Sequence, residues 1–102
     1  MNITIIKDTH EEIILSTNDY TFTSSDTAVF KIAKKWGDTP LNIVTGAFDA
    51  ENNVFSFAIT PDVTSGIAIE RDKVEYVYEI ECMLEGKKKV LSQGSLFICN
   101  TI

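Results

Sequence analysis

Cysteine, histidine, tryptophan and proline are all scarce in this chain, and most of these shortages close off a class of function. Two cysteines, Cys82 and Cys99, are too few for a disulfide framework. With no CxxC spacing and no ligand-rich neighbours, they do not suggest a zinc site either. The one histidine, His10, stands beside Glu11 and Glu12, and three ligands within a single turn converge poorly on a metal, so the trio reads as a solvated loop. A lone histidine has no imidazole partner for acid–base work, and no serine lies in a GxSxG elbow. No apolar run reaches the roughly 18 to 20 residues that span a bilayer. Met1-Asn2-Ile3-Thr4 has neither the basic start nor the apolar stretch of a signal peptide, so a soluble protein made in the cytoplasm is expected.

Positive charge is also short. The formal net charge of −6 and the isoelectric point near 4.6 mean that a phosphate backbone or an anionic membrane is repelled, so neither nucleic acid nor membrane is an expected partner. The one basic cluster, Lys87-Lys88-Lys89, follows Glu85-Gly86 in what reads as a hairpin turn, where lysines stay solvated and discourage edge pairing.

What is present is the composition of one folded domain. At 102 residues, 44% of them hydrophobic, the chain can close a core without a metal or a staple. No internal repeat, linker or shift in composition divides it, so residues 1–102 are expected to form a single domain.

The dominant pattern has period two. From Val74 to Leu84, the residues Tyr76, Tyr78, Ile80, Cys82 and Leu84 fall on one face, while Glu75, Glu79, Glu81 and Glu85 fall on the other. Ala28, Phe30 and Ile32 alternate likewise within Thr27 to Lys34, and so do Phe55, Phe57 and Ile59 within Val54 to Ile59. Shorter strands are predicted at Ile3 to Lys7 and Ile13 to Ser16, with another at Asn42 to Phe48 weakened by Gly46. Turn chemistry separates them at Gly37 to Pro40, Asp49 to Asn53, Pro61 to Gly66 and Glu85 to Lys87. A final strand carries Leu96, Phe97 and Ile98 after an irregularity at Gln93-Gly94. A short helical turn is predicted at Thr64 to Glu70.

About seven strands in a chain of this length predict an all-β, two-sheet antiparallel sandwich of the immunoglobulin-like kind. Asp72-Lys73-Val74-Glu75-Tyr76 has the spacing of a tyrosine corner, in which Asp72 and Tyr76 mark a structural feature and not a catalytic one. Tyr78 stands two residues on, where antibody domains have a cysteine, so their inter-sheet disulfide is absent. If Gly86 and Lys87 form the last hairpin turn, Cys82 lies opposite Leu91 and Cys99 lies close to Val74, so the thiols do not meet. Cys82 then serves as a small buried hydrophobe.

The glutamates of the tyrosine strand read as a solvated face, because nothing there separates an acid from a base. Asp49, Glu51 and Asn53 alternate in a loop but lack the glycine and final glutamate of an EF-hand. Trp36, after Lys34-Lys35 at a strand end, either caps the core, the favoured reading, or stands exposed as an interface anchor. No catalytic residue, cofactor site or metal site is predicted.

Several short segments together resemble the N-terminal immunoglobulin-like domain of the baseplate upper protein family of tailed phages and prophages of low-GC Gram-positive bacteria. Asp26-Thr27 with the alternating strand through Lys34-Lys35 is similar to that family's opening strand, and Ile59-Thr60-Pro61-Asp62-Val63-Thr64 to its proline-aspartate-threonine corner. Tyr76-Val77-Tyr78-Glu79-Ile80 resembles its late tyrosine strand, and Gly94-Ser95-Leu96-Phe97-Ile98 its last strand. The resemblance covers about the last three quarters of the chain. It implies a virion component without chemistry, docking to other tail and baseplate proteins or to copies of itself, with Trp36 as a candidate interface aromatic. The other expectation is a carbohydrate-binding or adhesion sandwich, which exposure of Trp36 or Tyr20 together with Asn18 would favour.

Overall fold

The computed structural model describes residues 2–69 and 72–100. Within them the chain forms eight strands and one helical turn: β1 (Asn2–Ile6), β2 (Glu11–Ser16), β3 (Thr27–Ala33), β4 (Asn42–Thr45), β5 (Ala47–Asp49), β6 (Val54–Ile59), α1 (Pro61–Thr64), β7 (Lys73–Leu84) and β8 (Lys87–Cys99). They build a five-stranded sheet in the order β1-β8-β7-β3-β4 and a three-stranded sheet in the order β2-β6-β5. All pairings are antiparallel except β1 with β8, which is parallel. This is an immunoglobulin-like sandwich: β2-β6-β5 takes the place of strands B, E and D, and β8-β7-β3 that of G, F and C.

Alternation places the core. Along β7, Tyr76, Tyr78, Ile80, Cys82 and Leu84 point inward, and β3 contributes Ala28, Phe30 and Ile32. Facing them from the three-stranded sheet are Leu15, Phe55, Phe57 and Ile59. Rings cluster in this core, and Phe30 with Phe57 joins the two sheets. Phe30 stacks on Tyr78 with centroids 5.3 Å apart and meets Phe57 at 5.9 Å, while Phe22 meets Phe55 edge-on at 4.9 Å. Such pairs add about 0.5–1.5 kcal/mol beyond the area they bury. The buried Tyr78 keeps its hydroxyl satisfied by the Ser92 hydroxyl at 3.0 Å.

The segment read as one weakened strand, Asn42 to Phe48, is two. At Gly46 the chain leaves the five-stranded sheet, where β4 pairs with β3, and enters the three-stranded sheet, where β5 pairs with β6. The crossing is tight. Gly46 donates its N–H to Ala28 O at 2.8 Å, and a Cβ at this position would lie 2.8 Å from Phe57 Cε1 and 3.2 Å from Ala28 O. Only glycine lets the backbone approach the core so closely.

Three local expectations are corrected. The helical turn lies at Pro61–Thr64 and not at Thr64 to Glu70, because Pro61 presets helical φ at the first position after an extended Thr60. Glu70 lies outside the described residues. The β7–β8 turn is centred on Glu85 and Gly86, with φ of 53° and 77°, the paired left-handed geometry of a type I′ hairpin. The register therefore sets Cys82 opposite Lys89, not Leu91, and Cys99 opposite Lys73, with Val74 opposite Ile98. The irregularity in β8 is at Leu91 and not at Gln93-Gly94, since Ile80 pairs with Ser92 and Glu81 with Val90. Both thiols are free, and Cys82 is fully buried.

Candidate functional site

The outward residues of the five-stranded sheet form one exposed face. Register fixes its rows: Ile43, Lys31 and Glu79 lie side by side, then Thr45, Val29, Glu81 and Val90, then Thr27, Met83 and Lys88. A further row joins Ala33, Val77 and Ser95. Ile43, Met83 and Val90 are each more than two-fifths exposed although they are large and apolar. Single exposed hydrophobes are ordinary; here three of them stand on one sheet face.

Trp36 adds to this set. It sits in the loop after β3, which turns back at Gly37 (φ 87°) with Asp38 donating its N–H to Lys35 O. Trp36 is 54% exposed, so the core-cap reading fails. Its ring instead borders a dent of about 60 Å³ over Ala33, Val77 and Glu79, with Lys31 and Pro40 beside it. That volume is far below the several hundred Å³ of small-molecule sites.

Between the apolar residues lies a charge network. Lys31 Nζ donates to Glu81 Oε2 at 2.8 Å, and Lys88 Nζ lies 3.7 Å from the same oxygen. The Lys31 hydrogen bond holds the Glu81 carboxyl below its ordinary range, outweighing the effect of burial. Glu81 is therefore half-buried and paired, which corrects the reading of a uniformly solvated glutamate face. Glu75 accepts from the Ser95 hydroxyl at 3.0 Å, and Glu85 lies in the hairpin turn and not on the strand.

The other sequence candidates are dispersed. His10 is exposed in the turn before β2, and Glu11 is already committed, its Oε2 accepting the Ile6 N–H at 2.7 Å. Asp49 caps its own loop, accepting from the N–H groups of Glu51 and Asn52 and from Asn52 Nδ2 at 2.8 Å. The Asn52 side chain is the chief reason its carboxyl is held below the usual range. Asn53 turns away to the 20–22 segment, donating to Tyr20 O and accepting from Phe22 N, so the loop does not present three converging ligands. Asp72 is exposed, and its carbonyl accepts the Asn100 N–H at 2.9 Å. Tyr76 is buried on the core side of β7, and its hydroxyl has no hydrogen bond among the described residues; residues 70 and 71, which lead into this corner, lie outside them.

Asp26 is the functional-looking residue that sequence reasoning passed over. It is 5% exposed; its Oδ2 accepts the Thr23 N–H at 2.8 Å and its Oδ1 accepts the Glu85 N–H at 3.3 Å. The bond from Thr23 leads the effects that lower its pKa, and bonds from Glu85 and the Tyr20 hydroxyl act in the same direction. Its role is structural, since it ties the loop before β3 to the β7–β8 turn. The local signal was the run Thr23-Ser24-Ser25-Asp26, a turn-forming string directly before a strand. Nearby, burial first and then the charges of Asp26 and Glu81 push the Cys82 thiol up to about 11.

Among the described residues no three His, Cys, Asp or Glu side chains are grouped to hold a metal, and no helix is long and apolar enough to cross a membrane. Compared with models of known protein families and with curated protein sequences, the chain matches none.

Proposed function

We propose that this domain is a non-enzymatic docking module of a phage or prophage tail or baseplate, joining virion proteins or copies of itself through the outer face of its five-stranded sheet. The observation that carries the docking part is the gathering of Trp36, Ile43, Met83 and Val90 on that one face. These apolar anchors surround the Lys31–Glu81–Lys88 network. Tryptophan is among the residues that dominate binding hot spots, and methionine is enriched at interfaces. The virion part rests on the likeness of the segments between Asp26 and Ile98 to the baseplate family.

The test is the solution mass of the purified chain by light scattering over a concentration series, beside Trp36→Ala and Ile43→Lys. A defined trimer or hexamer that both substitutions dissolve into monomers with an unchanged circular dichroism spectrum is the expected result. A chain that stays monomeric throughout, and that immunogold labelling does not find on tailed particles from its source cells, overturns the reading.

The exposed indole of Trp36 also favours a second reading, a carbohydrate-binding module. Lys35, Asp38 and Glu79 border the same dent and could pair with sugar hydroxyls while the ring stacks on a sugar face. A glycan screen in which binding depends on Trp36 would replace the docking assignment with this one.

A further inference from the structure

A cleft of about 410 Å³ opens between the end of β3, the start of β4 and the segment running on from α1. Its size falls within the range of small-ligand sites. It lies on the core-facing side of the five-stranded sheet, whereas Trp36 lies over the outer side. Leu41, Val63 and Ile67 give it apolar walls, and three polar side chains join them: Lys34, Asn42 and Tyr76.

Each of the three has unused bonding capacity. Tyr76 is only 9% exposed, yet its hydroxyl has no partner among the described residues. Among the described residues no sealed side-chain oxygen lacks a partner, so this hydroxyl is open to solvent, and Tyr76 lines the cleft. Asn42 donates Nδ2–H to Val63 O at 2.9 Å, which fixes its amide and leaves Oδ1 without a donor among the described residues. Lys34 is exposed and forms no ion pair among the described residues.

A cation, a hydroxyl donor and a fixed amide acceptor around apolar walls define one ligand chemistry. We infer that the cleft binds a small aliphatic carboxylate that carries an amide N–H beside the carboxyl group. Its side chain packs on Leu41, Val63 and Ile67. Its carboxylate takes charge-assisted hydrogen bonds from Lys34 Nζ and the Tyr76 hydroxyl, and its N–H is donated to Asn42 Oδ1. Two sources share this chemistry: a free N-acylated aliphatic amino acid, and the C-terminal residue of a polypeptide.

The probe is N-acetyl-leucine, titrated into the ¹⁵N-labelled chain and followed by amide shifts. Saturable shifts centred on Leu41, Asn42, Val63 and Ile67 are expected, with a millimolar Kd. N-acetyl-leucinamide, which lacks the charge, binds about tenfold more weakly, as loss of a charge-assisted bond requires. Lys34→Met, at an exposed position that does not threaten folding, weakens the acid by about the same factor and leaves the amide unaffected. Tyr76→Phe, with its thermal melt confirmed, weakens the acid too. A short peptide ending in leucine that binds more tightly than N-acetyl-leucine identifies a chain end as the source, and equal binding identifies the free acid. The inference is overturned by the absence of saturable shifts, by equal affinity for acid and amide, or by indifference to Lys34→Met.

Discussion

Replacing Gly46 by alanine tests the sheet crossing. The new methyl carbon would stand 2.8 Å from Phe57 Cε1 and 3.1 Å from Cζ, against a comfortable carbon–carbon separation of about 3.5–4.0 Å. The ring has little room to retreat, because Phe57 is fully buried with Phe30 at 5.9 Å. Nor is the backbone free to move, being held by the Gly46 N–H on Ala28 O. Overpacking of this kind costs about 1–3 kcal/mol, and the lower entropy of the unfolded alanine chain offsets about 0.4–1 kcal/mol of that. The expected net loss of about 1–2 kcal/mol corresponds to a fall of roughly 5 to 15 °C in Tm for a domain of this size. Urea unfolding followed by circular dichroism should show a lower midpoint at unchanged slope. The cause is isolated by Phe57→Leu, which removes the colliding ring edge. Gly46→Ala added to Phe57→Leu should cost clearly less than Gly46→Ala in the native chain. Wild-type stability in Gly46→Ala, or effects that add within about 0.5 kcal/mol, would refute the account of the crossing.

Asp26→Asn should remove part of the pH dependence of stability. Because the folded carboxyl titrates below its unfolded value of about 3.9, its contribution is present above that value and lost as pH falls through the folded pKa. Thermal melts at pH 7 and pH 3 should therefore lie closer together in the variant than in the native chain. Tyr78→Phe deletes the bond to Ser92 and should cost about 0.5–1.5 kcal/mol in urea unfolding; no loss would mean that the two hydroxyls do not interact. Thiol labelling at pH 8 should modify Cys99 well before Cys82, whose thiol is buried and pushed up to about 11, and urea should equalise the two. Equal rates in the native chain would place Cys82 outside the core.

The strands were legible where a single periodicity ran unbroken. Tyr76, Tyr78, Ile80 and Cys82 on one face with Glu75, Glu79 and Glu81 on the other admit no arrangement other than a half-buried strand, and β6 falls on the limits predicted for it. The hairpin turn was misplaced by one residue because Glu85 adopts a left-handed φ that local rules assign to glycine or asparagine. What helps to hold it there is Asp26, whose carboxylate accepts the Glu85 N–H from 59 positions away, and no local rule sees that partner. The bulge at Leu91 was invisible for a related reason, since leucine carries no turn signature and Gly94, which does, pairs regularly with Tyr78. Gly46 was noticed, but a change of sheet reads in sequence like a weak point within one strand. At the site, Trp36 was identified as the aromatic to watch, and its exposure follows from the reversal at Gly37, which turns the loop over the outer face instead of into the core.

The parallel pairing of β1 with β8 sets the order in which this sheet can be completed. Asn2 aligns with Ser95 and Ile6 with Cys99, so β1 must wait for β8 before it has a partner. Contacts between such distant segments carry a large loop-closure cost and fold slowly. During synthesis the Ile5 side chain, 1% exposed in the finished fold, remains without its cover until the residues up to Cys99 have left the ribosome. Completion of the five-stranded sheet is thus a late step in folding, set by the pairing of β1 with β8.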